Sequence, residues 1–394
     1  MTNFLNKKYN GVLYFIILSF FFCCFLVSPL LSFFGIIILF AIVEVRNKSF
    51  RYPLTVLAFF SGAVIYSSRV VGNIYGDDFA NEYYPLYNGI YKGEGILDGD
   101  FGGGVEIGLS SYFKLLSIIL PHLSESGVML SVSLLCTMLF YFWIEFFLFK
   151  DYKLKNETLF LASVLLFFGY FVTTQLMRQA ISTVFILYSL SYWDRGCKFK
   201  SVISICIGGI FHLTAIPLVF IFHILMGENR KLKIWLVGIF FAFGFLFTTV
   251  LKIISGSGIF FGVVSKFLYY LTNTESGFAT AYYWKLLLPV IIISFFISKD
   301  ESPKLKSLLF YGVMSYLCLI EIPFASDRVF MLMNIYLLGG IVFVAFSKFL
   351  NGFRLVVISL CIMRFILLGP YYNFECGNTV LCLWGAYPWL GSFL

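Results

Sequence analysis

Charge is what this sequence has least of. Only 12% of its 394 residues are Asp, Glu, Lys or Arg, where a water-soluble globular chain carries about 25%. That shortage excludes a hydrated exterior all round. Histidine occurs three times, and no C-x-x-C or Cys/His cluster accompanies it, so the sequence calls for no metal and no other cofactor. There is no P-loop, G-x-S-x-G, H-E-x-x-H or dinucleotide fingerprint, which removes the usual nucleotide-dependent and hydrolytic chemistries. No small-residue cleavage site follows the first apolar run, so that run is expected to stay as a first span rather than leave as a signal peptide. The nine cysteines make no disulfide framework: Cys23, Cys24, Cys136, Cys206, Cys318 and Cys361 fall within apolar runs, and only Cys376 and Cys382 share a tail.

What is present is apolar. Hydrophobic residues make up 60% of the chain, in stretches of roughly 17 to 25, the length that crosses a bilayer core. The stretches lie at 11–27, 29–44, 53–71, 126–149, 157–175, 177–193, 232–254, 284–298, 305–322, 328–347 and 352–370, with Tyr and Trp at many of their ends, as interfacial belts require. The expected fold is an all-α polytopic membrane bundle forming one integral domain over 1–394. It has about 11 full spans and outer loops at 72–125 and 255–283.

The net charge of +8 is a topology signal, and nucleic acid is not an expected partner. With the N-terminus inside and strict alternation, the cytoplasmic ends hold clusters such as Lys7–Lys8, Arg46–Lys48–Arg51, Lys150–Lys153–Lys155 and Arg195–Lys198–Lys200. Cytoplasmic loops carry such an excess of Lys and Arg. The segment 201–226 is basic on both flanks, at Lys198 and Lys200 and at Arg230, Lys231 and Lys233. A single crossing would invert every later loop. The segment therefore reads as a re-entrant pair of short helices broken near FHLTAIP (211–217), where Pro217 disfavours a continuous helix, or else as two thin, tilted spans; either way His212 is expected deep, towards the outer side. Such a break must be buried in protein or line a wet cavity.

Chemistry is expected at the outer ends of the spans. Arg178, in TTQLMRQAIS (173–182), stands where one span ends and the next begins; it is either a helix-end anchor or an anion clamp. Arg328 begins a span beside Asp327, and Arg69 ends one. Planar guanidinium groups suit bidentate capture of a diphosphate. His212 is either a satisfied structural group or a base at a helix break. Asp77 and Asp78 are either part of an acidic outer loop or a carboxylate pair able to hold a proton or a metal. Glu106 and Gln179 are further candidates, and the Gly-rich GDFGGGVEIG (99–108) marks 72–125 as a shaped loop. Glu145 is expected to snorkel to the cytoplasm and Arg364 to pair inside the bundle.

The same residues carry a resemblance. GDDFANEYYPLYNGIY (76–91), GVEIGLSSYFKLLS (104–117), TTQLMRQAISTVFILYSL (173–190), SICIGGIFHLTAIPLVFIF (204–222) and SDRVFMLMNIYLL (326–338) resemble the Wzy-type O-antigen polymerases and, more closely, their EpsG-like exopolysaccharide relatives. The resemblance implies a multi-pass glycosyltransferase of the bacterial inner membrane. Such an enzyme joins undecaprenyl-diphosphate-linked oligosaccharide repeat units on the periplasmic face, with a chain-length regulator as a further partner. Read from the residues themselves, that chemistry would put Arg178, Arg328 and Arg69 at the diphosphate and use His212, Asp77 or Asp78 as the base. A lipid-linked oligosaccharide flippase, or a metal-dependent polyprenyl-phosphate-sugar glycosyltransferase, is the alternative.

Overall fold

Each apolar run folds as a helix, the conformation that satisfies backbone N–H and C=O groups within one segment. The computed structural model describes residues 10–69, 71, 77–97, 104–151, 154–257, 283–297, 302–320, 322 and 325–368. In chain order the helices are α1 (Asn10–Val27), α2 (Pro29–Ile42), α3 (Lys48–Ser67), α4 (Tyr84–Lys92), α5 (Gly108–Ile119), α6 (Glu125–Trp143), α7 (Glu157–Phe167) and α8 (Tyr170–Gln175). They continue as α9 (Met177–Asp194), α10 (Lys198–Phe211), α11 (Ala215–Met226), α12 (Arg230–Ser257), α13 (Trp284–Ile297), α14 (Val313–Cys318), α15 (Leu338–Ala345) and α16 (Leu350–Leu368). No strand occurs among the described residues. Local chemistry sets the starts: Asn47, Ser124 and Asn156 cap α3, α6 and α7 by accepting from the amides of Ser49, Gly127 and Leu159.

Two compact units result, Met1–Ile216 with Leu350–Leu394, and Pro217–Phe349. In the first, α7 is buried on every side from Thr158 to Phe167, and α2, α3 and α16 pack around it. Phe15, Phe20 and Phe22 of α1 and Leu355, Ile362 and Ile366 of α16 face outward, an apolar exterior of the kind that meets lipid rather than water. Among the described residues, one helix, Glu125–Asp151, is long and apolar enough to cross a membrane by that measure alone. Interruptions shorten several others. The expected span 157–175 breaks at Phe168–Gly169, where the Tyr170 amide turns to the Phe168 carbonyl at 3.0 Å. Arg364 of α16 donates to the Leu166 carbonyl, so its partner inside the bundle is a backbone group beside that break. Glu145 does not snorkel. It is buried and accepts from Arg51 with both oxygens, at 2.9 and 2.7 Å.

The outer segment 72–125 is more structured than a loop. A π-helical turn, Phe79–Tyr83, leads into α4, and α4 packs against α5. Phe79, Tyr83 and Tyr87 bury with Leu109 and Phe113 of α5, Val132 of α6 and Met177 and Ile181 of α9. Residues 99–103 of the Gly-rich patch, most of the second outer loop (255–283) and the tail with Cys376 and Cys382 lie outside the described residues.

Polar contacts gather at two opposite ends of the first unit. At one end Arg51 pairs with Glu145 and Glu157, and Arg195 with Asp151. At the other, Arg69 pairs with Asp77, and Glu106 with Arg178 and His212. Arg51 lies in the first turn of α3 and Arg69 just past its end. At 1.5 Å per residue they are about 27 Å apart along the helix, close to the ~30 Å of a hydrocarbon core.

The second unit is built on α12. Gly244 faces the Cys318 carbonyl so closely that a Cβ there would collide with its oxygen. Phe222, Phe240 and Tyr316 surround Phe330, and Lys233 donates to Ser307 Oγ at 2.6 Å.

Candidate active site

A helix end leaves polar backbone groups unpaired, and the first unit brings three such ends together around five ionisable side chains. Arg69 follows the C-cap of α3. Its guanidinium grips Asp77 with two parallel bonds, Nη1 to Oδ2 at 2.7 Å and Nη2 to Oδ1 at 2.8 Å, and Nε reaches Thr174 Oγ1 of α8 at 3.2 Å. Both partners of this pair are buried. Asp77 Oδ1 also accepts from the Phe79 amide at 3.1 Å, which fixes the start of the π-helical turn. Asp78 occupies the N-cap position of that turn and is half-buried. Among the described residues, no group of three His, Cys, Asp or Glu side chains is placed to hold a metal ion.

One turn further on, the arrangement repeats with different partners. Arg178, in the first turn of α9, lies over the Tyr83 ring at 5.8 Å, as Arg69 lies over Phe79 at 5.7 Å. Arg178 Nη1 donates to Glu106 Oε2. The other oxygen of Glu106 takes His212 Nδ1 at 2.6 Å and the Leu213 amide at 2.9 Å. Burial pushes the Glu106 carboxyl up. The His212 and Leu213 hydrogen bonds, with the charges of His212 and Arg178, outweigh it and hold the group below the ordinary carboxylate value. Arg178 is 20% and His212 23% exposed on their side chains, against 4% for Glu106. The cation and the imidazole therefore face solvent from a buried carboxylate.

The helix break puts His212 there. α10 ends at Phe211, His212 takes an extended backbone (φ −157°, ψ 121°), and α11 begins at Ala215. The chain doubles back, with Gly208 against Ala215 and Gly209 against Ile216. Pro217 falls in the first turn of α11, where its missing N–H costs nothing; the break itself lies three to five residues earlier. Gly108 completes the packing, since a Cβ there would meet Phe211 at 2.8 Å from Cγ and 3.0 Å from Cα.

Sequence reasoning named Arg69, Asp77, Glu106, Arg178 and His212 separately, and the fold joins them in two adjoining sets. Gln179 is buried behind Arg178, and its carbonyl accepts from Thr183 Oγ1 at 2.7 Å. Arg328 and Asp327 belong to the second unit, on the short helix Ala325–Val329; Arg328 is exposed, and Asp327 accepts from the Tyr316 hydroxyl at 2.8 Å. The aromatic platform of Phe79 and Tyr83 was missed. Its signal was the spacing of the aromatics in FANEYYPLY (79–87), which puts Phe79, Tyr83 and Tyr87 on one helical face.

The set of residues on which this geometry rests falls within one match to a known family. The model described as the EpsG family matches residues 52–375. No curated protein and no solved structure matches the chain. The match runs from within α3 to beyond α16 and takes in every residue of the candidate site, and the helical architecture fits a membrane-associated family. The chain belongs to the EpsG family, whose members are exopolysaccharide and O-antigen polymerase-like proteins.

Proposed function

We propose that this protein is a multi-pass glycosyltransferase of the bacterial inner membrane that polymerises undecaprenyl-diphosphate-linked oligosaccharide repeat units on the periplasmic face. The observation that carries the reading is the convergence of Arg178, Glu106 and His212 at the end of the first unit opposite its basic, Arg51-bearing end. The excess of Lys and Arg assigns that basic end to the cytoplasm, which leaves the Arg178 end outside. The lengths of α10 and α11, 14 and 12 residues, give about 21 and 18 Å. Each falls short of a bilayer core, which supports a re-entrant pair carrying His212 near the outer surface.

The chemistry follows from charge. In the reaction the oxygen of an acceptor sugar hydroxyl bonds to the anomeric carbon of the growing chain. The bond from that carbon to the diphosphate oxygen breaks, and the lipid diphosphate leaves. Negative charge builds on the diphosphate, and Arg178 at a water-poor interface stabilises it. The hydroxyl proton passes to His212, the partly exposed base, and from there to the leaving group or water. Asp77 is held by Arg69 with both oxygens, so its role is to fix the segment that carries Tyr83 beneath Arg178. Arg328, exposed on the second unit, is a further guanidinium suited to anion contact.

Deleting the gene in its host tests the reading. Single repeat units should accumulate on lipid at the outer face, and a plasmid copy should restore long glycan. His212→Ala should leave only short products at an unchanged membrane protein level. Repeat units stranded on the cytoplasmic face would point to a flippase instead.

A further inference from the structure

Glu106 touches both the proposed base and the clamp beside it, His212 and Arg178, yet it is too buried to be the group that meets substrate. Its two oxygens are divided between partners. Oε1 takes His212 Nδ1 at 2.6 Å and the Leu213 amide at 2.9 Å, and Oε2 takes Arg178. An ionised carboxylate only accepts, so the proton between the two residues sits on Nδ1. In a neutral imidazole the lone pair is then on Nε2. Because one rigid carboxylate holds both neighbours, neither the imidazole nor the guanidinium can swing without dragging the other. The Leu213 amide and the tight contact of Gly108 with Phe211 fix the carboxylate itself on both sides of the helix break.

We propose that Glu106 is a positioning residue: it sets His212 in the Nδ1–H tautomer with Nε2 directed to the acceptor hydroxyl, and sets Arg178 beside it for the diphosphate. This rests on the polymerase reading above and adds the device that pre-organises its base and its clamp. When the hydroxyl proton moves to Nε2, the Nδ1–H stays in place and the imidazolium gains a carboxylate partner. Glu106 takes up no proton. The glycosidic bond forms and the bond to diphosphate breaks as described, with no further reactant. The charged groups facing the imidazole in the geometry above are Glu106 from the start of α5 and, through it, Arg178 from α9.

The test uses the full chain in liposomes, with lipid-linked repeat units extracted from the gene-deleted host as substrate. Glu106→Gln keeps the shape and one acceptor oxygen but removes the charge and replaces the second acceptor with an NH2 donor. The rate should fall about 100-fold, within the range contributed by a positioned base. The acid limb of the rate profile should move to lower pH, because an imidazolium without its carboxylate loses its proton more readily. In a His212→Ala background the same change should cost clearly less than in the wild type, because only the part that acts through Arg178 remains to be lost. A purely structural role predicts multiplying losses and an unmoved limb, and that result overturns the proposal. Independently of any variant at 106, nitrogen-labelled histidine spectra of the wild type should show His212 protonated on Nδ1, with the signal identified by its loss in His212→Ala. A neutral ring protonated on Nε2 overturns it. Full activity of His212→Ala sinks the base assignment and this proposal together, whereas an inactive His212→Ala beside a fully active Glu106→Gln sinks this proposal alone.

Discussion

Arg178 and Arg69 show how one residue type serves two ends at neighbouring positions. Arg69 is spent on Asp77 in a buried, bidentate pair. Removing one partner of such a pair strands a charge and costs about 3–5 kcal/mol of stability. Arg178 pairs with the buried Glu106 but keeps a fifth of its side chain exposed, where the Arg69 side chain is buried with its partner. The two Lys variants should therefore fail differently. Arg69→Lys should lower the amount of protein in the membrane, because ammonium replaces two parallel bonds with one. Arg178→Lys should insert at the normal level and lose about 100- to 1000-fold in rate, the range for removing an oriented donor from a developing anion. Glycan length on gels, read beside membrane protein level, separates the outcomes. A full-length ladder from Arg178→Lys would return that residue to a helix-end anchor.

At the scale of elements, the sequence showed which runs are helical and where the important break falls. Basic residues on both sides of 201–226 left room for no single crossing, and the break appears at His212–Thr214, inside the segment expected. It did not show that 79–92 and 108–119 are packed helices rather than loop. Their apolar residues, such as Tyr87, Leu109 and Phe113, are too few for a span, and they become core only against α6 and α9. Pairings were equally hidden: Glu106 and His212 are 106 residues apart, and no local pattern joins them. Gly108 is where element packing meets the site. An added methyl there presses on Phe211 at Cγ and Cα, and backbone cannot step aside as a flexible side-chain tip can. Gly108→Ala should push α5 from the end of α10 and carry Glu106, two residues earlier, off His212. The expected result is at least tenfold less polymer at a near-normal protein level. An unchanged ladder would mean that the approach of α5 to α10 does not position the carboxylate.

Across the first unit, the opposed polar ends give a vertical scale that composition alone only implied. The sequence assigned Arg51 and Arg195 to the inside, and Arg69 and Arg178 to the outside, from charge bias; the fold then places the first pair with one set of carboxylates and the second pair with another. The Arg51 set is a staple rather than a site. Arg51 joins α3 to Glu145 after α6 and to Glu157 at the start of α7, and it is fully buried. Arg51→Ala would leave two carboxylates facing each other without a cation. One stranded buried charge costs about 3–5 kcal/mol, a large part of the 5–15 kcal/mol that holds a domain together. The prediction is a sharp fall in membrane protein level and in thermal stability in detergent. The molecules that do fold should keep their rate, because the site lies about 27 Å away along α3 and shares no hydrogen bond with the staple. Arg51→Ala with Glu145→Gln should recover part of the loss, since the second change removes one of the uncompensated charges. A variant that is stable but inactive would contradict the separation. It would mean that the two ends are coupled through α3, and that its inner end belongs to the working machinery.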